Sequence, residues 1–239
     1  MIGVIIAAGQ GSRLKTVTKG IPKTLLYVNR KPIIQWIIDE ASAVGIKRFI
    51  IVTGYEHERI EKYFLRKPNT SIELVYNPLW KKGNGISVFS SASKIGEEKF
   101  VLMMSDHIIS RQIIKGIINE KEGKPVLAVE RNLDKVFDME DATKVLVDGK
   151  RIISIGKTLK RFNGVDTGLF VLDGLIFRAL EKVIKEGKDS LSDGVSEMLE
   201  NHCLNAYTVP DDAFWLDIDT EAALKRAVQM WRCNEKGLT

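Results

Sequence analysis

The chain opens with the stretch that decides its fold, Val4-Ile5-Ile6-Ala7-Ala8-Gly9-Gln10-Gly11-Ser12-Arg13-Leu14, which is followed by Pro22-Lys23. An apolar strand runs directly into a glycine turn, and two cations come soon after it. Glycine lets a backbone approach a polyphosphate closely, because no side chain holds the ligand off. The turn amides form a nest for an anion, and Arg13 and Lys23 add full positive charges. This pattern predicts a site for a nucleoside triphosphate.

Two other glycine motifs do not fit the sequence. The dinucleotide-binding fingerprint G-x-G-x-x-G needs a third glycine, and Leu14 stands at that position. The phosphate-binding loop G-x-x-x-x-G-K-[ST] has only its last part in Gly156-Lys157-Thr158, because Arg151 replaces its first glycine. Both classes of nucleotide-binding protein are therefore excluded.

The order A-A-G-x-G-x-R, followed by P-K, resembles the start of the nucleotidyltransferases that make nucleoside-diphosphate sugars and alcohols. The resemblance implies that the turn wraps the triphosphate of the donor nucleotide and that an arginine and a lysine neutralise it. The residues assigned in this way are Ala7, Ala8, Gly9, Gly11, Arg13 and Lys23.

The composition is that of an ordinary soluble globular protein, with 44% hydrophobic and 28% charged residues in a chain of 239. The net charge is +5 and the sequence pI is about 9.1. Because the basic residues are scattered among 31 acidic ones, we expect a small anionic substrate rather than nucleic acid.

The sequence also indicates the cellular compartment in which the protein is expected. No apolar run approaches the roughly 18–20 residues that span a bilayer, and the N-terminus does not resemble a signal peptide. Cys203 and Cys233 have no C-x-x-C spacing, so neither a zinc site nor a disulfide framework is expected. A cytoplasmic, reduced setting is the prediction.

Apolar runs alternate with amphipathic stretches through the first half of the chain. The predicted strands are 2–7, 48–53, 72–76, 100–104 and 125–130. The predicted helices are about 32–44, 57–65, 85–94 and 110–121. This alternation predicts a mainly parallel sheet with helices on both faces, whose site lies beyond the carboxyl ends of the strands.

The second half of the chain has a different pattern. The predicted elements are a hairpin of 142–147 and 151–155, a strand 165–172, helices 173–186 and 190–201, a strand 206–209 and a helix 220–232. We expect one domain over 1–239, with a Rossmann-like three-layer α/β nucleotidyltransferase fold and a mainly parallel mixed sheet. Residues of about 138–217 are expected to extend this sheet and to bind the acceptor.

Two acidic groups follow strand-like runs and predict a metal site. Asp106 comes directly after 100–104, and Asp217-Ile218-Asp219 follows a short apolar run. Oxygen ligands from two loops suit Mg²⁺, and the resemblance implies that Asp106 and Asp219 hold it. Asp217 is expected to tune the site. Asp106 and Asp219 can alternatively serve as helix caps.

A second phosphate is expected on the acceptor side of the cleft. The resemblance implies that Lys157 reaches it, with Lys160 and Arg161 as nearby substitutes and a solvated loop lysine as the alternative. Two like charges ~4 Å apart at an effective dielectric of ~20 repel by roughly 4 kcal/mol. This repulsion would be offset by Arg13, Lys23, Lys157 and a divalent ion. The same cations would stabilise the charge that develops on the α-phosphate.

The loop Lys81-Lys82-Gly83-Asn84-Gly85-Ile86-Ser87 stands where the family recognises the base. The resemblance assigns this role to backbone groups and to the small polar side chains of Asn84 and Ser87. The Gly-Asn-Gly form is similar to that of cytidylyltransferases, which implies CTP. Asn84 can also be read as a helix cap.

The run Asp166-Thr167-Gly168 is the predicted acceptor-binding segment. Gly168 permits close approach, and Asp166 can accept hydrogen bonds from hydroxyl groups. Together with Ser105-Asp106-His107 and 140–145, it resembles CTP:inositol-1-phosphate cytidylyltransferases, which make CDP-inositol for the compatible solutes of thermophiles. In several relatives the domain is fused to a membrane-embedded synthase that uses the product. The sequence here ends at Thr239, so the expectation is that such a synthase is a separate partner.

Several alternatives remain open. Phosphocholine would need an aromatic cage, for which Trp80, Phe214 and Trp215 are candidates, and a sugar 1-phosphate is a third acceptor. A glycosyltransferase would use Asp217-Ile218-Asp219 as a D-x-D metal motif, and a non-catalytic nucleotide sensor is the remaining reading.

Overall fold

The computed structural model describes residues 1–14, 18–66, 71–120, 123–201 and 204–236. Its strands are β1 (Ile2–Ala7), β2 (Tyr27–Val28), β3 (Lys31–Pro32), β4 (Arg48–Thr53), β5 (Ser71–Tyr76), β6 (Phe100–Met104), β7 (His107–Ile109), β8 (Val126–Glu130), β9 (Lys144–Asp148), β10 (Arg151–Gly156), β11 (Gly164–Leu172), β12 (Asn205–Thr208) and β13 (Trp215–Asp217). Cys203 and the last residue of the predicted helix 110–121 lie outside the described residues.

The helices are α1 (Ile33–Ala43), α2 (His57–Phe64), α3 (Asn84–Phe89), α4 (Ala92–Ile95), α5 (Arg111–Ile118), α6 (Leu175–Lys185), α7 (Leu191–Asn201) and α8 (Glu221–Lys236). The predicted helix 85–94 is in fact two short helices. Between them the hydroxyls of Ser90 and Ser91 donate to the carbonyls of Ile86 and Val88, which competes with continued helical bonding. The chain contains no helix in its described part that is long and apolar enough to cross a membrane.

Nine strands form one sheet in the order β5-β4-β1-β6-β11-β8-β12-β10-β9. The four strands from β5 to β6 are parallel, as the alternation of strands and helices predicted. Beyond them the sheet is mixed, because β11 is antiparallel to both β6 and β8, whereas β12 is parallel to β8. The β9–β10 hairpin is also antiparallel, and β9 pairs with β11, so that the second half of the sheet closes on itself.

Helices cover both faces of the sheet and give three layers. Ile5 and Ala7 of β1 belong to the apolar cluster under α1 and α5, whereas Val4 and Ile6 belong to the cluster under α6 and α7. Alternate side chains of one strand therefore enter two cores. Burying each such aliphatic side chain contributes roughly 1.5–3 kcal/mol. This packing fixes the strand ends that carry the site.

A small second sheet, which the sequence did not reveal, completes the site. β7 and β13 pair antiparallel, with Asp217 opposite His107. The N–H of Ile218 donates to the carbonyl of Asp106 at 2.9 Å. These bonds bring the two predicted acidic segments, more than a hundred residues apart in sequence, to the carboxyl ends of β1 and β6.

Candidate active site

The glycine turn follows β1 and is shaped by the lysine behind it. Gly11 has φ +63°, and a Cβ there would lie 2.9 Å from the Cβ of Lys23. Only glycine adopts this backbone conformation freely and leaves room for the lysine. Gly9 has open space where a Cβ would be, and both glycines line a cleft of about 320 Å³.

Lys23 is the buried cation of the cleft, with 8% of its surface exposed. Its Nζ donates to Asp106 Oδ2 at 2.6 Å and to Asp219 Oδ1. Burial disfavours the charge, yet Asp106, Asp219 and Asp217 together raise the pKa of the ammonium above its ordinary value. Lys23 is therefore a permanent positive charge at the centre of the site.

The two predicted metal aspartates meet at this lysine and are not helix caps. Thr220 accepts the N–H of Ala223 and so caps α8 in place of Asp219. Ser110 occupies the position before α5, which removes the alternative interpretation of Asp106. The structure thus brings both carboxylates together.

The charged groups in this cluster shift one another's pKa values. Burial opposes ionisation of Asp106, but Lys23 and His107 outweigh it and lower the pKa of this carboxyl. Burial and the neighbouring charge of Asp106 raise the pKa of Asp219, against the effect of Lys23. Two carboxylates that share one cation cannot both ionise without cost.

His107 is a further charged group of this cluster, which sequence reasoning left aside. Its Nδ1 lies 2.6 Å from the carbonyl of Thr167, and its Nε2 lies 3.6 Å from both Asp106 Oδ1 and Asp217 Oδ2. Burial alone would lower its pKa, but Asp217, Asp106 and the Thr167 carbonyl raise it to about 10. The imidazole is therefore protonated at neutral pH.

The donor set fits a hard divalent cation. Carboxylate oxygens of Asp106 and Asp217 lie within 4.8 Å of each other, and Asp219 shares Lys23 with Asp106. Asp217 Oδ1 is buried and accepts no hydrogen bond from any described residue, so it has unused capacity as an oxygen ligand. Carboxylate oxygens are what Mg²⁺ prefers.

Two acids that the sequence did not single out bind the remaining cations. Arg13 Nη2 donates to Asp141 Oδ2 at 2.7 Å and to Asp219 Oδ2, and Asp138 lies 3.7 Å from its Nη1. Lys157 Nζ donates to Asp141 Oδ1 at 2.7 Å. Burial favours the neutral acid, yet Lys157 and Arg13 hold the pKa of Asp141 below its ordinary value. The tertiary fold alone brings these residues together, although Asp141 lies in the run 140–145 that carries part of the family resemblance.

Lys157 lines the cleft, whereas its proposed substitutes Lys160 and Arg161 are not among the described residues that line it. Trp215 also lines the cleft, with its indole N–H donating to the buried Glu130 at 3.1 Å. Trp80 packs on Tyr55 instead, with 5.5 Å between ring centroids.

In the acceptor-side segment, Asp166 and Gly168 line the cleft and Thr167 is a buried structural position. Asp166 lines the cleft, and its Oδ1 accepts the Gly168 N–H at 2.7 Å. Burial raises the pKa of Asp166 to about 6, against the effects of the Gly168 N–H and His107. Thr167 is fully buried and donates to the Ala128 carbonyl at 2.9 Å. Gly168, with φ +75°, leaves room for His107.

On the base side, Asn84 lines the cleft and is fixed by α7. Its Oδ1 accepts the Leu191 N–H at 2.8 Å, and Gly83 rather than Asn84 precedes α3 as its cap position. A backbone N–H can only donate, so the Asn84 oxygen must face it and the NH₂ group is left for a ligand. Gly83 and Gly85 pack against the backbone of 189–190.

Two predicted nucleotide-binding residues lie behind the cleft. Ser87 is 3% exposed and its hydroxyl accepts from Asn77 Nδ2 at 3.0 Å. Ala8 is 1% exposed and its carbonyl accepts the Tyr55 N–H at 3.0 Å. Among the described residues that line the cleft, Ala7 is present and these two are not.

The fold and the cleft are those of an enzyme that handles nucleotides, and comparison with known proteins names the class. Residues 2–232 match the nucleotidyl transferase family, to which the chain therefore belongs. This confirms the enzyme class predicted from the glycine turn.

The chain is also similar to individual curated proteins. It is 35% identical over 224 residues to the bifunctional IPC transferase and DIPP synthase of Aquifex aeolicus, and 34% over 233 residues to the protein of that name from Thermococcus kodakarensis. The alignments cover 94% and 95% of this chain but 50% of each relative, so the chain spans about half the length of the curated relatives it matches. A putative UTP–glucose-1-phosphate uridylyltransferase of Methanocaldococcus jannaschii is 27% identical, with 93% of both chains covered.

Two solved structures share the fold. The inositol-1-phosphate CTP transferase from T. maritima superposes with a TM-score of 0.85 at 25% identity, over 95% of this chain and 96% of that one. A UDP-glucose pyrophosphorylase complexed with UDP-glucose gives 0.82 at 20% identity, over 98% of both chains, and this likeness shows the fold alone.

Proposed function

We propose that the chain is a Mg²⁺-dependent cytidylyltransferase that transfers CMP from CTP to inositol 1-phosphate, giving CDP-inositol and pyrophosphate. One observation carries the proposal: cations from both halves of the chain, Arg13 and Lys157, meet at one carboxylate in a single cleft. A triphosphate and a phosphomonoester would therefore bind side by side. The names of the relatives supply the choice of nucleotide and acceptor.

The donor triphosphate would lie along the glycine turn. Gly9 and Gly11 leave the backbone amides accessible, and Ala7 ends the strand below them. Arg13 and Lys23 would hold phosphate oxygens through charge-assisted hydrogen bonds. Because Lys23 is fixed by packing and by two acids, it is already oriented for this role.

Asp106 and Asp219 would hold Mg²⁺, with Asp217 beside them. The ion supplies charge neutralisation on the triphosphate and helps to orient it. Since Lys23 bonds to both carboxylates, lysine and ion would share the same pair of acids.

The transfer itself is a substitution at phosphorus. An oxygen of the acceptor phosphate attacks the α-phosphorus in line, the new P–O bond forms, and the bond to the bridging α–β oxygen breaks. Pyrophosphate leaves with the bonding electrons. The acceptor phosphate is ionised near neutral pH, so no general base is required, and Lys157 would orient it.

Asn84 would contact the base with its NH₂ group, which suits the ring acceptors of cytosine. Asp166 would accept hydrogen bonds from acceptor hydroxyls, with Trp215 as a flat wall nearby. We propose the cytoplasm as the site of the reaction and a DIPP synthase, the second activity in the names of the relatives, as the consumer of the product.

The test is a panel assay of pyrophosphate release. Each NTP is combined with inositol 1-phosphate, phosphocholine, glycerol 3-phosphate or glucose 1-phosphate, with Mg²⁺ present or chelated. The proposal expects the highest kcat/KM for CTP with inositol 1-phosphate, and loss of the signal with chelator or with Asp106→Asn. A higher value for UTP with glucose 1-phosphate would favour the second candidate, a sugar-phosphate uridylyltransferase like the M. jannaschii relative.

A further inference from the structure

Asp141 connects the two substrate-binding sides of the cleft. One of its oxygens accepts from Lys157 and the other from Arg13, each at 2.7 Å. Arg13 follows the glycine turn and Lys157 follows β10, so a single carboxylate ties together groups from the two halves of the chain. No other acid in the described chain has an ion pair with both cations.

The turn that presents Asp141 is held by its own hydrogen bonds. Asp138 Oδ1 accepts the Asp141 N–H at 3.2 Å, and the Ala142 N–H donates to the Asp138 carbonyl at 3.1 Å. Lys144 Nζ donates to the Glu140 carbonyl at 3.1 Å. The backbone of the turn before β9 thus fixes the position of the carboxylate. The long side chains of Arg13 and Lys157 extend to it from other parts of the chain.

Both cations remain available to ligands. The side chains of Arg13 and Lys157 are 43% and 57% exposed, and both line the cleft. A guanidinium has five N–H donors and an ammonium has three. Contact with Asp141 uses one donor of each, and a second Arg13 donor goes to Asp219, which leaves the remaining donors for phosphate oxygens.

We propose that Asp141 is a positioning residue that sets the spacing between Arg13 on the donor side and Lys157 on the acceptor side. The inference rests on the proposed function, because it takes these cations as the ligands of the two phosphates. Without the carboxylate, two like charges repel each other and two long side chains regain rotamer freedom. Binding of the substrates would then have to order both side chains.

The direction in which KM changes in an Asp141 variant distinguishes a positioning role from a purely electrostatic effect. Asp141→Asn removes a negative charge from a cleft that binds two anions, so Coulomb attraction alone predicts lower KM values for both substrates. Positioning predicts the reverse: both KM values rise, by roughly tenfold each, and kcat falls. Asp141→Glu, which restores the charge, should recover part of the loss.

Two variants from the same turn serve as controls. Asp138→Asn makes the same charge change next to Arg13, has no ion pair with Lys157 in the described structure, and keeps an oxygen for the Asp141 N–H. We expect its KM values to stay level or fall. Glu140→Gln changes an exposed acid and should leave both constants unchanged.

The experiment compares these variants by steady-state kinetics and by thermal melting. Higher KM for both substrates in Asp141→Asn only, with an unchanged Tm, supports the inference. Unchanged or lower KM values in Asp141→Asn, or equal effects in Asp138→Asn, overturn it. If the wild type does not turn over CTP with inositol 1-phosphate, the proposed function fails. Calorimetric titration with CTP and with inorganic phosphate then tests Asp141 separately, and weaker binding of both to Asp141→Asn is again the supporting result and its absence the contrary one.

Discussion

Gly9 and Gly11 lie in one turn, but the structure requires glycine at the two positions for different reasons. Gly11 has φ +63° and is pressed against Lys23, so a side chain there strains the backbone and moves the lysine. Gly9 has neither constraint, but it lines the cleft where a triphosphate would pass close to the backbone. The first glycine is thus expected to serve binding and the second to serve both stability and binding.

A pair of alanine substitutions tests this distinction. Gly11→Ala should lower the free energy of unfolding by about 1–2 kcal/mol, the usual cost of a left-handed residue with a side chain, and should weaken CTP binding. Gly9→Ala should change stability by less than ~0.5 kcal/mol and weaken CTP binding all the same. Urea denaturation and calorimetry measure both quantities; equal loss of stability in the two variants would contradict the account.

Asp166, a proposed acceptor ligand, is expected to lower the stability of the fold when it is ionised. Burial raises its pKa from 3.8 to about 6 in the folded protein. A raised folded pKa means that the stability this group contributes is complete below about pH 4 and is lost as the pH rises through 6. Ionised Asp166 therefore destabilises the fold at neutral pH.

Asp166→Asn should remove this pH dependence. At pH 7.5 we expect the variant to be more stable than the wild type by up to about 3 kcal/mol, and at pH 4 to be equal within error. Denaturant midpoints at the two pH values measure it, with the exposed Asp134→Asn as a control that shows no such trend. A variant less stable at pH 7.5 would show that Asp166 is held in its charged form.

At the scale of elements, the pairing of β7 with β13 assembles the acidic cluster. Ile218 lies between Asp217 and Asp219, is fully buried, and donates its N–H to Asp106. Its side chain anchors the strand end that carries both acids. Packing of one apolar residue thus controls where the carboxylates stand.

Ile218→Ala can be compared with Ile117→Ala in the same apolar cluster. Both should cost roughly 2–5 kcal/mol of stability, because each leaves a cavity of similar size. Only Ile218→Ala should also lower kcat, by roughly tenfold or more, since small displacements of catalytic groups are costly. Denaturation and kinetics at a temperature where both variants are folded measure this; equal kcat values would contradict it.

The sequence predicted single strands and helices better than the strand pairing and the side-chain contacts between them. The strands around β1 and the glycine turn follow from apolar runs and turn residues, and Asp106 follows from its place after such a run. The β7–β13 pairing was missed because each strand has only three residues. Asp141 lies in the run 140–145 used for the resemblance, but its contact with Arg13 was missed because only the tertiary fold brings together residues 128 positions apart. Ser87 was assigned to the nucleotide by resemblance, but it lies buried beside Asn77.

At the scale of the whole molecule, the continuous nine-stranded sheet links the first half of the chain to the second half. β11 joins the two, since it pairs with β6 on one side and with β8 and β9 on the other. We therefore propose that the chain folds as one domain.

One cooperative unfolding transition is the consequence. Differential scanning calorimetry should give a single peak whose calorimetric and van't Hoff enthalpies agree. CTP should shift the whole peak upward by mass action. Two peaks, of which CTP moves only one, would show that 138–217 is a separate unit.

The central claim is that this cleft joins the acceptor phosphate to the α-phosphate of CTP. The direct measurement uses inositol 1-phosphate with ¹⁸O in its phosphate oxygens and ³¹P NMR of the product. We expect CDP-inositol with ¹⁸O in the bridge between the two phosphorus atoms and unlabelled pyrophosphate. Absence of CDP-inositol, or a product whose bridge carries only ¹⁶O, would contradict it.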